Sequence, residues 1–323
     1  MAGLDEHARR AHKLRNWFHS VILLGGLALL TAIPAVMISG WSGLFIVGTT
    51  MLVLAAFAPR VPTDMIMKFF KAREVEPGGR SGLIVLTENL ARRAELPSMP
   101  RVFVIPSGTI NAFATGTRQA PAIAITSAML DRLTPREVAA VLAHEVSHIR
   151  NNDLWVMGLA DVLSRLTATL SFIGVSFGLA NVITMVLGAN EAPVPWLAIG
   201  ILYIMPTLSS LLQLALSRAR EYDADLEAAL LTGDPEGLAS ALLKIERIAG
   251  HFWEDLAFPM PGRRVPQPSL LRTHPKTEDR IARLSMLAGR ELERPDVLPP
   301  SALLTRVFAA PGRPRYHFPG AFF

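Results

Sequence analysis

The sequence predicts a mainly α-helical membrane protein, with four transmembrane helices and a cytoplasmic α+β domain containing a small β-sheet. Three observations carry this. Half of the 323 residues are hydrophobic and only 18% are charged, against about 25% in a typical soluble domain. The apolar residues are gathered into four blocks, each near the ~20 residues that a helix needs to cross a bilayer. The polar stretches between them hold short β-branched runs and well-formed helix starts.

The first block runs from Trp17 to Ser39 and the second from Trp41 to Ala58. Only the uncharged turn Gly40–Gly43 separates them, so they are expected to form a hairpin. A cleavable signal peptide is the rival reading. It is disfavoured because its apolar region spans only ~7–15 residues and is not followed at once by a second. The third block covers Leu166–Leu187 and the fourth Trp196–Leu216. Pro34 and Pro206 lie inside blocks, which membrane helices tolerate. Orientation follows from basic residues. Arg9, Arg10, Lys13 and Arg15 precede block one, Arg60, Lys68, Lys71 and Arg73 follow block two, and Arg218 and Arg220 follow block four. The intervening turns carry no Lys or Arg. The positive-inside rule therefore puts both termini and residues 60–165 in the cytoplasm. The expected organisation is an arm and hairpin (1–59), a first soluble part (60–165), a second hairpin (166–216), a second soluble part (217–294) and a Pro/Gly/aromatic tail (295–323).

Within the soluble parts, Leu83–Ala94 has helical periodicity, and Arg101–Ile105 and Ala122–Thr126 read as strands. Thr134-Pro135-Arg136-Glu137 is a helix start, with a Thr cap, Pro at the first position and Glu closing a capping box. That helix runs on through Val138, Leu142, Glu145 and Ile149.

Cysteine is absent, so a metal would be held by His, Asp and Glu. The net charge of +5 comes without a basic stripe interleaved with aromatics, so nucleic acid is not an expected partner. His144 and His148 stand four apart on the capped helix, and two imidazoles on one face converge on one ion. Glu145, between them, can reach a water activated by that ion. A catalytic zinc takes three protein ligands and keeps one position open. Glu221, beyond the second hairpin, is the best candidate for the third, because the hairpin leaves and re-enters on the same side. Asp225, one turn on, can orient a ligating His. A solvated charged helix end is the competing account of both.

The stretches His144-Glu145-Val146-Ser147-His148-Ile149-Arg150-Asn151-Asn152-Asp153, Ser217 to Asp225 (SRAREYDAD), Asn111 to Gly116 (NAFATG) and Thr273-His274-Pro275 together resemble the HtpX family of membrane zinc proteases, relatives of the CAAX prenyl-proteases. The resemblance covers about residues 10–290. It implies a zincin-like (gluzincin) catalytic domain holding one Zn2+ per chain, with His144, His148 and Glu221 as ligands and Glu145 as general base. It implies that Asn111, Ala112, Phe113, Ala114 and Thr115 form a strand edge beside the site, where an extended peptide pairs by strand addition. It also implies ATP-independent cleavage of damaged or misfolded membrane proteins, at a bacterial inner membrane with the site on the cytoplasmic side.

His274 matches the family's His-Pro pair and is a candidate oxyanion donor; a helix-start role explains it equally. Tyr222 is a weaker candidate. Asn151 and Asp153 are expected to hold the turn after the two-His helix. Phe258–Gln267 could form a lid, and the tail maps onto nothing in the family. A zinc-binding scaffold or chaperone without turnover is the alternative function, and Glu145 argues against it. A transporter would need ionisable residues within the apolar blocks, and blocks one, two and four have essentially none. No feature sets an oligomeric state.

Overall fold

The computed structural model describes residues 2–57, 62–75, 82–188, 194–256 and 277–288. It is mostly helical, with one four-stranded sheet. The first helix, α1 (Ala2–Phe57), is broken at Gly40, whose φ of 59° and ψ of −143° are not helical. The chain reverses there. Thr31 Oγ1 lies 3.3 Å from Met51 Sδ, whereas twenty residues of straight helix would separate them by ~30 Å.

A short helix α2 (Thr63–Phe69) and strand β1 (Arg73–Glu74) lead to helix α3 (Gly82–Arg93). Leu83, Leu86 and Leu90 recur at helical spacing and are all buried. Strands β2 (Arg101–Ile105), β3 (Ala112–Gly116) and β4 (Pro121–Thr126) complete the sheet, in the order β1-β2-β4-β3. β4 is central and buried on both faces. Its alternation sorts the two sides: Ile123 and Ile125 join the core with α3 and the helix that follows, while Ala122 and Ala124 pack with Met67 of α2. β3 is left at the edge.

Helix α4 (Ser127–Arg132) precedes α5 (Pro135–Arg150). The capping box at Thr134 and Glu137 forms in full. Glu137 does more than cap: its buried carboxylate also accepts from Ser240 Oγ at 2.6 Å and Lys244 Nζ at 2.8 Å, tying α5 to helix α8 (Pro235–Leu256).

Two long helices follow, α6 (Asp153–Val186) and α7 (Trp196–Thr232). Both are long and apolar enough to cross a membrane; the two limbs of α1 contain shorter apolar helices, Val21–Met37 and Ser39–Val53. α6, α7 and α1 meet around Leu27, Leu163 and Leu216. At Gly174 α6 comes close to α7: an added Cβ would stand 2.6 Å from Leu202 Cβ. Outward, the three helices show large apolar side chains, among them Phe45, Leu52, Phe172, Leu179 and Tyr203. Neither long helix breaks where its sequence turns polar. The expected boundaries at 165/166 and 216/217 fall inside α6 and α7, because Arg165 and Arg218 change what the helix faces without removing a backbone hydrogen bond. Helix α9 (Thr277–Ala288) packs beside α7 and α8.

Candidate active site

The site forms where α5 crosses α7. His144 and His148 share one face of α5, and Glu221 and Asp225 share one face of α7 by the same spacing. The two Nε2 atoms are 3.1 Å apart. Glu221 Oε2 is 3.4 Å from the first and Oε1 is 3.6 Å from the second. Tetrahedral zinc with two nitrogens at ~2.0–2.1 Å holds them ~3.3–3.4 Å apart. The three donors therefore fit around one metal ion, and two imidazoles with one carboxylate are a zinc-type donor set.

The far side of each imidazole meets a carboxylate. His148 Nδ1 is 2.9 Å from Asp153 Oδ2. His144 Nδ1 is 3.1 Å from Asp225 Oδ1, an ion-pair separation bent from hydrogen-bond geometry. The carboxylates are themselves held. Arg220 donates to Asp153 Oδ1 at 2.8 Å. Arg280 of α9 donates twice to Asp225, at 2.7 and 2.5 Å, and reaches within 3.4 Å of Glu221. Burial works against charging the imidazoles, but the surrounding carboxylates prevail: His144 is raised by Asp225 and Glu221, and His148 well raised by Asp153 and Glu221. The same concentration of negative charge favours a divalent cation between them.

Glu145 is buried, and its Oε2 accepts the Ala114 N–H at 2.8 Å. Burial pushes its carboxyl above the usual range, helped by Glu221 and opposed by both imidazoles and the Ala114 N–H. The β3–β4 register, with Thr126 N–H donating to Asn111 O, turns the odd-numbered amides of this segment towards β4. Ala112, Ala114 and Gly116 thus present their backbone groups on the free edge. Asn111 precedes β3, and its Oδ1 is buried without a hydrogen-bond partner among the described residues.

The structure thus brings together His144, His148, Glu145, Glu221, Asp225 and the 111–115 segment. The Tyr222 ring lies under the Arg283 guanidinium, 3.7 Å from its centre. His274, the 258–267 loop and the 295–323 tail lie outside the described residues. Two contributors carry no signal in the sequence, and a third, Asp153, does more than the sequence implies. Arg280 gives no local signal, because its partners lie 55 and 59 positions away. Glu227 binds Ser147 Oγ and Asn151 Nδ2, each at 2.7 Å, and Arg150, so it fixes the end of α5 on both sides of His148. Asp153 was expected to hold a turn. It does sit at that turn, which Asn152 makes at φ 58°, but its carboxylate is spent on His148.

The sequence model of peptidase family M48 matches residues 81–288. A protease HtpX homolog of Sulfurovum sp. (strain NBC37-1) is 34% identical over 283 residues, covering 84% of this chain and 99% of that one. The chain belongs to peptidase family M48. It is therefore a metallopeptidase, a hydrolase. A second relative, a protease HtpX homolog of Ralstonia nicotianae (strain ATCC BAA-1114 / GMI1000), is 35% identical over 287 residues, covering 84% of this chain and 97% of that one. A crystal structure of S. mikatae Ste24p aligns at 20% identity and a TM-score of 0.42, covering 84% of this chain and 66% of that one.

Proposed function

We propose that this chain is a multi-pass integral-membrane, zinc-dependent endopeptidase that cleaves polypeptides at the cytoplasmic face of a bacterial inner membrane. The carrying observation is the meeting of three donors from two helices with Glu145, itself bonded to the edge strand. Four membrane passages, from the limbs of α1 and from α6 and α7, are supported by the lipid-like outward face of these helices and by the distribution of Lys and Arg. The resemblance to HtpX proteases supports damaged or misfolded membrane proteins as substrates, without ATP.

His144, His148 and Glu221 would hold the zinc, which when bound supplies Lewis-acid polarisation and lowers the pKa of water. The chain's own groups do the rest. An extended substrate adds to the free edge of β3, from Asn111 to Thr115, by backbone hydrogen bonds. Asn111 Oδ1 accepts a substrate N–H. Glu145, kept basic by burial and aimed by Ala114, takes a proton from the attacking water and passes it to the leaving amine. His274 is the proposed donor to the oxyanion. Asp153 and Asp225 hold the imidazoles with Nε2 facing inward.

The test is Glu145→Gln in purified, zinc-loaded protein. Casein or peptide cleavage is expected to fall by about 10²–10⁴-fold with zinc content unchanged. Cleavage at the wild-type rate with zinc bound would overturn the proposal.

A further inference from the structure

Beside the edge strand, a cavity of about 370 Å³ opens between β3, α2 and the start of α6. We propose that this cavity is the subsite that selects substrates, receiving one uncharged apolar or aromatic side chain of the bound peptide, with Gly158 and Trp155 setting its depth. This rests on the peptidase reading above.

Position is the first argument. One wall includes Ala114, whose N–H is bonded to Glu145. The lining also includes Asn152 and Leu154, the chain neighbours of the Asp153 that holds His148. The cavity is thus bordered by one residue bonded to Glu145 and by both neighbours of the residue that holds His148. A peptide paired along β3 carries alternate side chains to one side of the strand, and this is the hollow beside it.

Chemistry is the second. Ile66, Leu154, Trp155 and Gly158 supply the apolar surface, while Thr115 and Gln119 are polar but neutral. Among the described residues, no charged side chain lines it. A Lys, Asp or Glu entering would lose water with no counter-charge in return. The volume sits at the low end of the ~300–1,000 Å³ of small-molecule sites, enough for one large side chain.

Gly158 is the third. It lies well inside α6, where helix propensity alone favours Ala. An added Cβ would meet no atom within 4 Å. Close packing therefore does not demand a glycine here, and Gly158 is one of the residues that line the cavity. From this point α6 passes the exposed Asp161–Arg165 ion pair and, two turns on, enters its apolar block at Leu166. Trp155, more than a third exposed, has the amphipathic character of residues at a membrane surface. The hollow is thus presented to chain emerging beside the lipid.

The experiment profiles cleavage of a peptide library by detergent-solubilised, zinc-loaded full-length protein, varying one substrate position at a time. Wild type is expected to favour Phe, Leu or Met over Asp and Lys at one position. Gly158→Leu is expected to lower the ratio of kcat/KM for Phe to that for Ala by about tenfold or more at that position alone. Gly158→Ala should act in the same direction and less, and Trp155→Ala should flatten the preference there. Affinities of uncleaved peptides for the Glu145→Gln protein, with and without Gly158→Leu, should follow the same order. Unchanged profiles at every position, or a uniform fall for all peptides, would overturn the subsite. Loss of bound lipid from Gly158→Leu with an unchanged profile would assign the cavity to lipid instead. A wild-type protein that holds zinc and cleaves no peptide would defeat the peptidase reading itself, an outcome visible without any variant.

Discussion

Asp153 Oδ2 lies 2.9 Å from His148 Nδ1, and Asp153 Oδ1 accepts from Arg220 at 2.8 Å. One carboxylate therefore links the two-His helix to the helix that carries Glu221, three residues past the end of α5. It fixes which imidazole nitrogen faces inward, and it keeps the inward one basic.

Asp153→Asn should keep the fold and weaken the metal site. The amide can still contact His148, but it brings no charge and removes the Asp153–Arg220 ion pair. Zinc affinity is expected to fall about 10–100-fold, as read by competition with a chromophoric chelator. Wild-type affinity in the variant would reduce Asp153 to a turn residue.

Arg280→Met tests the other imidazole. The guanidinium is only 4% exposed and bridges Asp225 and Glu221. Its removal strands a buried carboxylate, a change that costs about 3–5 kcal/mol. The thermal midpoint of metal-free protein should drop clearly. Adding Asp225→Asn should restore part of the loss, because the carboxylate that takes both Arg280 hydrogen bonds is then gone. Additive losses in the double variant would show that the pair is not coupled.

Asn111→Ala addresses the strand edge. Asn111 Oδ1 is a buried acceptor with no hydrogen-bond partner among the described residues, so removing it should not destabilise the protein. If it receives a substrate N–H, kcat/KM should fall by roughly tenfold, the worth of one hydrogen bond of about 1.5 kcal/mol. Zinc content and melting temperature should hold. An unchanged kcat/KM would remove Asn111 from the substrate contacts.

What was legible in the sequence divides by range. Thr134-Pro135-Arg136-Glu137 announces a helix because a capping box is satisfied within four residues, and the box forms as read. His144 and His148 face one way for the same local reason. Glu221 is farther off, yet two apolar blocks of similar length return the chain to the side it left, and it arrives 3.4 Å from His144. Arg280 and Glu227 had no such guide. Their partners are set by how α9 and α7 pack on α5, and an Arg or Glu in a charged helix looks the same whether solvated or buried. The short elements α2, β1 and α4 escaped for another reason. Two to seven residues carry no readable period; they are fixed by the sheet face and the turns they serve.

Glu137 supplies a prediction with a pH sign. Burial alone would raise its carboxyl, but Lys244, Ser240 and the Thr134 cap outweigh burial and bring it from an ordinary 4.5 down to about 2. A group depressed in the folded state stabilises fully above its unfolded value. Its contribution fades as pH falls from about 4.5 towards about 2. The gap is worth on the order of 3 kcal/mol. Glu137→Gln should therefore melt well below wild type near neutral pH, with the two midpoints converging as the pH approaches about 2.5. Metal-free protein should be used, so that acid-driven release of the metal from His144 and His148 does not enter. A difference between the two proteins that stays constant across this window, or widens on acidification, would show that the Glu137 charge does not hold α5 to α8.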